Sequence, residues 1–258
     1  MLKKIILKIG GSVITKKDVK DFPLDMNEIK RVFYEYVRVD EIKRLGRELY
    51  EAIKESGCRL ILINGAGPFG HYLVYKKQPV EIVHKSVEYL NRKLIEYLDN
   101  DLNIQPVAPF DTCEWKHGEF DISRLWEKGQ RVLEDGKILS TYGDVLQGYK
   151  IISGDDLAVL LAEHWQADKI IMATDVNGVY DRPPENEDAK LIKTIRGGED
   201  IEFRVKAVDV TGGIKRKIMK LQSVGINSQI VNGLVAGNVK KVLLGDESIG
   251  TLIIPASV

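Results

Sequence analysis

The chain has 258 residues, with 38 basic side chains balancing 38 acidic ones, so it carries no global electrostatic footprint for nucleic acid or an anionic membrane. Cys58 and Cys113 are too few for a disulfide framework and lack metal-ligand spacing. No apolar run approaches the ~20 residues of a membrane span, and Lys8 cuts the N-terminal apolar stretch too short for a signal peptide, so a soluble, cytoplasmic protein is expected.

A first strand is expected from Ile5 to Ile9, ending on the turn Gly10-Gly11. Ile42, Leu45, Leu49, Ala52 and Ile53 then share one face of a helix over Asp40 to Glu55, with Gly57 as its stop. The strand Leu60 to Ile63 runs into a second glycine turn, Asn64-Gly65-Ala66-Gly67-Pro68-Phe69-Gly70-His71. A helix over Glu81 to Asn100 and a strand over Ile104 to Ala108 follow. Turn residues Lys116-His117-Gly118 and Gln147-Gly148 predict hairpins over Asp111 to Glu119 and Asp144 to Ile152, added to the main sheet. The pattern continues with a helix over Asp155 to Trp165, a strand over Lys169 to Ala173 and an exposed excursion over Arg182 to Asp188. It ends with a helix over Gly213 to Val224 and strands over Ser228 to Val231 and Val242 to Leu244.

Strands alternating with helices predict an α/β fold, a three-layer α/β/α sandwich around a mainly parallel sheet. The composition suits one compact domain of two lobes, 1–150 and 151–258, with a soft boundary near residue 150.

The chemistry-bearing residues gather in polar turns after apolar runs, the strand edge where open α/β folds bind ligands. Glycines remove the Cβ atoms that would keep an anion off the backbone. Gly65, Gly67 and Gly70 also fit a dinucleotide-binding fingerprint. A Rossmann unit, however, wants that turn after its first strand and an acid near the end of the next, whereas here an earlier strand has its own turn and Glu88 to Glu96 reads as helix. Lys8 closes a buried strand, where an ammonium is costly unless something anionic meets it or it emerges to pair with a nearby carboxylate. No Walker A loop is present. Ser153-Gly154-Asp155-Asp156 precedes a helix, so one aspartate suffices as cap and the second is free to orient lysines or to bind Mg²⁺ through water. Thr174-Asp175-Val176-Asn177-Gly178-Val179-Tyr180 is a polar turn with or without a ligand. Gly212-Gly213 precedes a helix bearing Lys215, Arg216 and Lys217, and cations crowded at a helix N-terminus imply an anion, unless they form a solvated basic face. Lys8, Lys17 and Lys217, the aspartate pair and His71 together point to phosphoryl transfer, while His84, His117 and His164 read as structural.

These motifs, in this order, resemble the amino acid kinase superfamily, most closely the archaeal-type isopentenyl phosphate kinases. The resemblance runs from Lys8-Ile9-Gly10-Gly11-Ser12-Val13-Ile14-Thr15 through Tyr142-Gly143-Asp144-Val145, Ser153 to Asp156, Thr174 to Tyr180 and Asp209 to Gly213, to Gly250-Thr251. It implies an N-terminal acceptor lobe, a C-terminal lobe for ATP with its Mg²⁺, a homodimer, and phosphorylation of isopentenyl phosphate to isopentenyl diphosphate for isoprenoid synthesis. Lys8, Lys17, His71, Asp155 and Lys217 would be the catalytic set. Gly10, Gly11, Ser12, Gly67, Asp175, Tyr180, Gly213 and Lys217, with Lys8, would hold the nucleotide, and Ala66, His71 and Gly154 the acceptor. No protein-held metal is expected. Sister readings are a kinase of another phosphomonoester or of a phosphonate such as fosfomycin, and a non-catalytic nucleotide or metabolite sensor.

Asn64, Ala66 and Pro68 depart from the family's usual His-Gly-Gly-Gly-Ser/Ala-Phe-Gly-His turn. Proline removes an N–H donor, worth about 3 kcal/mol of transition-state stabilisation where such a donor holds phosphate. Candidates for an apolar acceptor wall (Ile82, Val83, Val87, Leu90 and Leu94) lie on the core face of their helix and do not separate from it by sequence.

Overall fold

A computed structural model describes residues 3–16, 19–98, 101–197 and 213–255. In chain order, β1 (Lys4–Ile9) leads into one turn of helix, α1 (Gly11–Ile14), then α2 (Met26–Arg31), α3 (Phe33–Tyr36) and α4 (Val39–Ser56). Next come β2 (Arg59–Asn64), α5 (Pro68–Tyr75), α6 (Val80–Tyr97), β3 (Ile104–Pro106) and the hairpin β4 (Glu114–Lys116) and β5 (Glu119–Asp121). Helix α7 (Ser123–Glu134), β6 (Ile138–Tyr142), the hairpin β7 (Asp144–Leu146) and β8 (Lys150–Ile152), α8 (Gly154–Trp165) and β9 (Lys169–Thr174) follow. The remainder is β10 (Val179–Tyr180), β11 (Leu191–Ile192), β12 (Thr194–Arg196), α9 (Gly213–Ser223), β13 (Ser228–Asn232), α10 (Asn238–Leu243) and β14 (Thr251–Ile254).

Eight strands form one sheet in the order β12-β14-β13-β9-β1-β2-β6-β3. Pairing is parallel from β13 through β3, and β14 runs antiparallel to β13. Alternate residues of the central strands feed two cores, because side chains of a strand point to opposite faces. Ile5, Leu7 and Ile9 pack with residues of α4, α5, α6 and α10, whereas Ile6, Ile61 and Ile63 pack with residues of α7, α8 and α9. The expected three-layer sandwich is therefore present.

Three expectations change. Val242 to Leu244 is not a strand: Gly237, at φ +82°, opens α10, and Val239, Val242 and Leu243 are buried at helical spacing on one face. The two mid-chain hairpins exist, but each forms its own two-stranded sheet instead of joining the main one. The third is a central strand with no place in the sequence pattern, β6, whose five residues are all buried. Two of its polar members are satisfied internally, with Thr141 Oγ1 donating to Val107 O at 3.0 Å and Ser140 Oγ accepting from Asn91 Nδ2 at 2.9 Å, whereas the buried Tyr142 hydroxyl has no partner among the described residues. The excursion over Arg182 to Asp188 is a surface loop between β10 and β11.

This topology builds one edge. β1 lies at the sheet centre, with β2 on one side and β9 on the other, so the crevice beyond its carboxyl end is a topological switch point. The turns after β1, β2, β6, β9 and β13 all emerge there because those strands are parallel. The turn after β13 is tied to α4 by buried charge: Arg44 pairs with Glu48 and donates to Gly233 O, while Glu48 accepts from Gly237 N at 2.8 Å and Lys240 N at 3.2 Å. Glu48 thus does for α10 what a capping side chain does elsewhere. Glu48→Ala leaves Arg44 with Glu41 as its carboxylate partner but α10 uncapped, so urea denaturation is expected to report a loss of about 2 kcal/mol with an unchanged m-value.

Candidate functional site

Two glycine turns meet backbone to backbone at this edge. A Cβ on Gly11 would stand 2.5 Å from Gly67 N, and one on Gly65 would stand 2.5 Å from Gly11 N. Gly67 has φ +50° and ψ −147°, a conformation open to glycine, and its Cβ would meet Thr15 Oγ1 at 2.3 Å. It precedes α5, with Pro68 in the first helical turn, where a missing N–H breaks no intrahelical bond. Asn64 supports the turn from beneath: it is fully buried and accepts from Asn91 Nδ2 at 2.7 Å.

Charged groups converge on the glycines. Lys8, 8% exposed at the end of β1, pairs with Asp155 Oδ1 at 2.9 Å, and Lys217 from α9 reaches Asp155 Oδ2 at 3.5 Å. Burial works to raise the Asp155 pKa, but the two ammonium groups outweigh it and hold the carboxyl at about 2. Lys217 is pushed down, first by burial and then by Lys8, with Asp155 opposing. Two cations thus share one carboxylate, leaving positive charge for an anionic ligand. The neighbouring aspartate has the bland role: Asp156 forms the capping box of α8 with Ser153 and pairs with Lys220.

His71 lies in the first turns of α5 and is exposed toward the site. The protein around it lowers its pKa first, Lys8 lowers it further, and Asp155 opposes, so the imidazole is neutral at pH 7 and carries one N–H donor.

The site has two chambers. The larger, about 530 Å³, is bounded by Gly10, Gly11, Ser12, Gly67, Asp175 and Lys217, and also by Thr15, Tyr72 and Tyr75. Ser12 Oγ donates to Asp175 Oδ1 at 2.9 Å, joining the turns after β1 and β9. The smaller, about 170 Å³, has Ala66, His71, Gly154 and Asp155 at its polar end. Its apolar walls are Val74, Val83 and Val87 from α5 and α6, and Val145, Ile151 and Ile152 from the β7–β8 hairpin. The chambers meet at Lys8, Gly11 and His71.

The structure thus gathers Lys8, Gly10, Gly11, Ser12, Ala66, Gly67, His71, Gly154, Asp155, Asp175 and Lys217 around one cleft. Tyr180, on β10, is not among the residues bounding either chamber, and Gly213 opens α9 one turn before Lys217. Lys17 and the stretch Asp209 to Gly212 lie outside the described residues. Sequence reasoning missed the hairpin wall, whose Val145 and Ile151 carry no signal beyond hydrophobicity. Of the five apolar candidates on α6, Val83 and Val87 bound the chamber. Among the described residues, no three histidine, cysteine or acidic side chains converge on a common point.

Asp155→Asn removes the carboxylate that, among the described residues, pairs with both Lys8 and Lys217. A folded pKa below the unfolded one contributes stability that is present above the unfolded value, about 3.9, and is lost as pH falls through the folded value. The substitution is expected to cost about 2 kcal/mol near neutrality, with the gap to wild type narrowing below pH ~4 in denaturation measured across pH.

The amino acid kinase family model matches residues 3–232. The isopentenyl phosphate kinase of Methanothermobacter thermautotrophicus is 30% identical over an alignment covering 96% of this chain and 98% of its own. That of Thermoplasma acidophilum is 31% identical, covering 96% and 99%. An X-ray structure of isopentenyl phosphate kinase superposes with a TM-score of 0.75 at 27% identity, covering 97% of this chain and all of the other.

Proposed function

This chain belongs to the amino acid kinase family, and on that premise we propose that it transfers the γ-phosphoryl group of ATP to the phosphate of isopentenyl phosphate, giving isopentenyl diphosphate. One observation carries the reading: a glycine-lined chamber and a small apolar-walled chamber meet at Lys8, Gly11 and His71. A phosphate lodged at that junction faces the donor chamber, while a five-carbon tail extends between Val83, Val87 and Val145. Named isopentenyl phosphate kinases at about 30% identity over nearly the whole chain support the same acceptor.

The attacking atom is an oxygen of the acceptor phosphate, already anionic at pH 7, so the reaction needs no general base. Its difficulty is bringing two polyanions together, which cations and N–H donors relieve. In this assignment Lys8 and Lys217 neutralise the transferring group, with Lys17 assisting, and Asp155 keeps the two ammonium groups in place. Gly10, Gly11, Ser12, Gly67 and Gly213 admit the ATP phosphates, and Asp175 and Tyr180 lie along the nucleotide. His71, as neutral imidazole, donates to an acceptor phosphate oxygen beside Ala66 and Gly154. Mg²⁺ arrives with the nucleotide, since Asp155 is engaged by lysines and Asp156 by its cap and Lys220. Residues 1–150 then line much of both chambers, while 151–258 adds Thr174, Asp175 and Lys217 to the nucleotide side and Ile151 to Asp155 to the acceptor side. The reading also carries a cytoplasmic homodimer; among the described residues no helix is long and apolar enough to cross a membrane.

Purified protein with Mg-ATP should consume ATP with isopentenyl phosphate and more weakly, or not at all, with dimethylallyl phosphate, fosfomycin, acetylglutamate and UMP. Preference for fosfomycin or UMP would overturn the acceptor, and silence across the panel with intact ATP binding would favour a sensor. His71→Ala should fold, bind ATP and lose about 10²-fold in kcat/KM for the acceptor. Any acid limb due to His71 should lie below the ordinary histidine value of about 6.5 and be absent from that variant. Lys8→Met should cut kcat far more than it raises the KM for ATP; equal losses would reduce Lys8 to a ground-state contact.

A further inference from the structure

The β7–β8 hairpin forms one wall of the smaller chamber, yet it takes no part in the main sheet. Side chains fasten it to the opposite wall at two points. At its tip, Tyr149 Oη donates to Gln78 O, just before α6, at 2.7 Å. At its root, His84 Nδ1 lies 2.9 Å from Asp144 Oδ2. The Asp144 side chain has no solvent exposure and that of His84 has 12%. The other carboxylate oxygen accepts from Val145 N at 2.8 Å, and the imidazole stacks on Phe110 at 4.2 Å with the rings 17° apart.

The positions on either side of this bond are the chamber itself. Val83 precedes His84 on α6 and Val87 lies one turn beyond it, while Val145 follows Asp144 on β7. A carboxylate sunk among apolar side chains is costly unless it is bonded, and apolar residues of similar volume would pack there at least as stably. The pair supplies what apolar packing lacks: a fixed distance and direction between two elements that the sheet does not align.

We propose that His84 is a positioning residue for the acceptor, its bond to Asp144 setting the spacing between α6 and the β7–β8 hairpin and hence the width of the acceptor's apolar chamber. The proposal rests on the smaller chamber being the acceptor site. Facing His84 are Asp144 from β7, Glu88 from its own helix and Asp111 from the segment before β4. Burial lowers the imidazole pKa, but the Asp144 bond and the three carboxylates outweigh it and the net direction is upward; burial moves Asp144 upward as well. A raised histidine keeps its charged bond below the ordinary histidine value and loses it as pH rises through the folded value, so the chamber loosens on the alkaline side.

The test combines amide exchange with steady-state kinetics on wild type, His84→Ala and His84→Asn, the last retaining an N–H donor near the Nδ1 position. In His84→Ala, exchange over residues 143–153 should quicken about tenfold while β1 and β2 are unchanged. Its KM for isopentenyl phosphate should rise about tenfold, with kcat and the KM for ATP within about twofold of wild type. His84→Asn should restore both and lack the alkaline rise in acceptor KM seen in wild type. Unchanged hairpin exchange in His84→Ala, or faster exchange spread equally over β1 and β2, would overturn the proposal, as would an unaltered acceptor KM. A wild type that does not phosphorylate isopentenyl phosphate removes the acceptor assignment instead, and the exchange pattern still decides whether His84 holds the hairpin.

Discussion

The cleft depends on one carboxylate shared by two lysines. Asp155 comes from the first turn of α8, Lys8 from the end of β1 and Lys217 from the second turn of α9, so their meeting requires the sheet and the helices on one face to be in place. None of the three could be sunk there alone, because an unpaired charge in this setting costs several kcal/mol. Together they satisfy one another, and within this trio two ammonium groups face one carboxylate. The surrounding glycines keep those ammonium groups reachable. A Cβ on Gly154 would stand 3.2 Å from Lys8 Cε, and one on Gly143 would stand 2.9 Å from Gly154 N. Compactness at the ion cluster, more than turn flexibility, explains why glycine occupies those two positions.

What was legible in the sequence follows from how each element is stabilised. β1, β2, β9, α4, α6 and α8 announce themselves because hydrophobic burial alone specifies them, on both faces of a strand or one face of a helix. β6 escapes notice because its burial includes Ser140, Thr141 and Tyr142, and what makes Ser140 and Thr141 tolerable, Asn91 and Val107 O, is far away in sequence. The stretch Val242 to Leu244 misleads for the opposite reason: three apolar residues in a row suit a strand, and only Gly237 and Val239 upstream reveal a helix. α5 is hidden within the glycine turn that it extends.

The candidate site divides along the same line. Lys8, His71, Asp155 and Lys217 were readable because a charged or titratable group directly after an apolar run, or at a helix start, has few inexpensive explanations. The larger question of which aspartate matters needed coordinates, since Asp155 and Asp156 are adjacent and chemically identical. Asn64, a departure from the resembled pattern, proves to lie beneath the turn against Asn91 instead of facing a chamber. His84 reads as structural in the sequence because its bonded partner, Asp144, lies sixty positions away.

Pro68 is the departure that does border the larger chamber. Its ring removes a donor at the start of α5, where helix N–H groups are free to meet an anion. The same ring fixes φ near the helical value, and beside Gly67, whose backbone tolerates no Cβ, it narrows the conformations available to the turn. A donor and a degree of freedom are lost together, and the two losses act on different quantities. The first weakens an interaction with the transferring group, whereas the second lowers the entropy given up when a phosphate orders the turn. With His71 three residues further along the same helix, a side-chain N–H remains close to where the backbone N–H is missing. In the proposed reaction the turn would therefore retain a means of holding phosphate, with more of the task moved from the backbone to one imidazole.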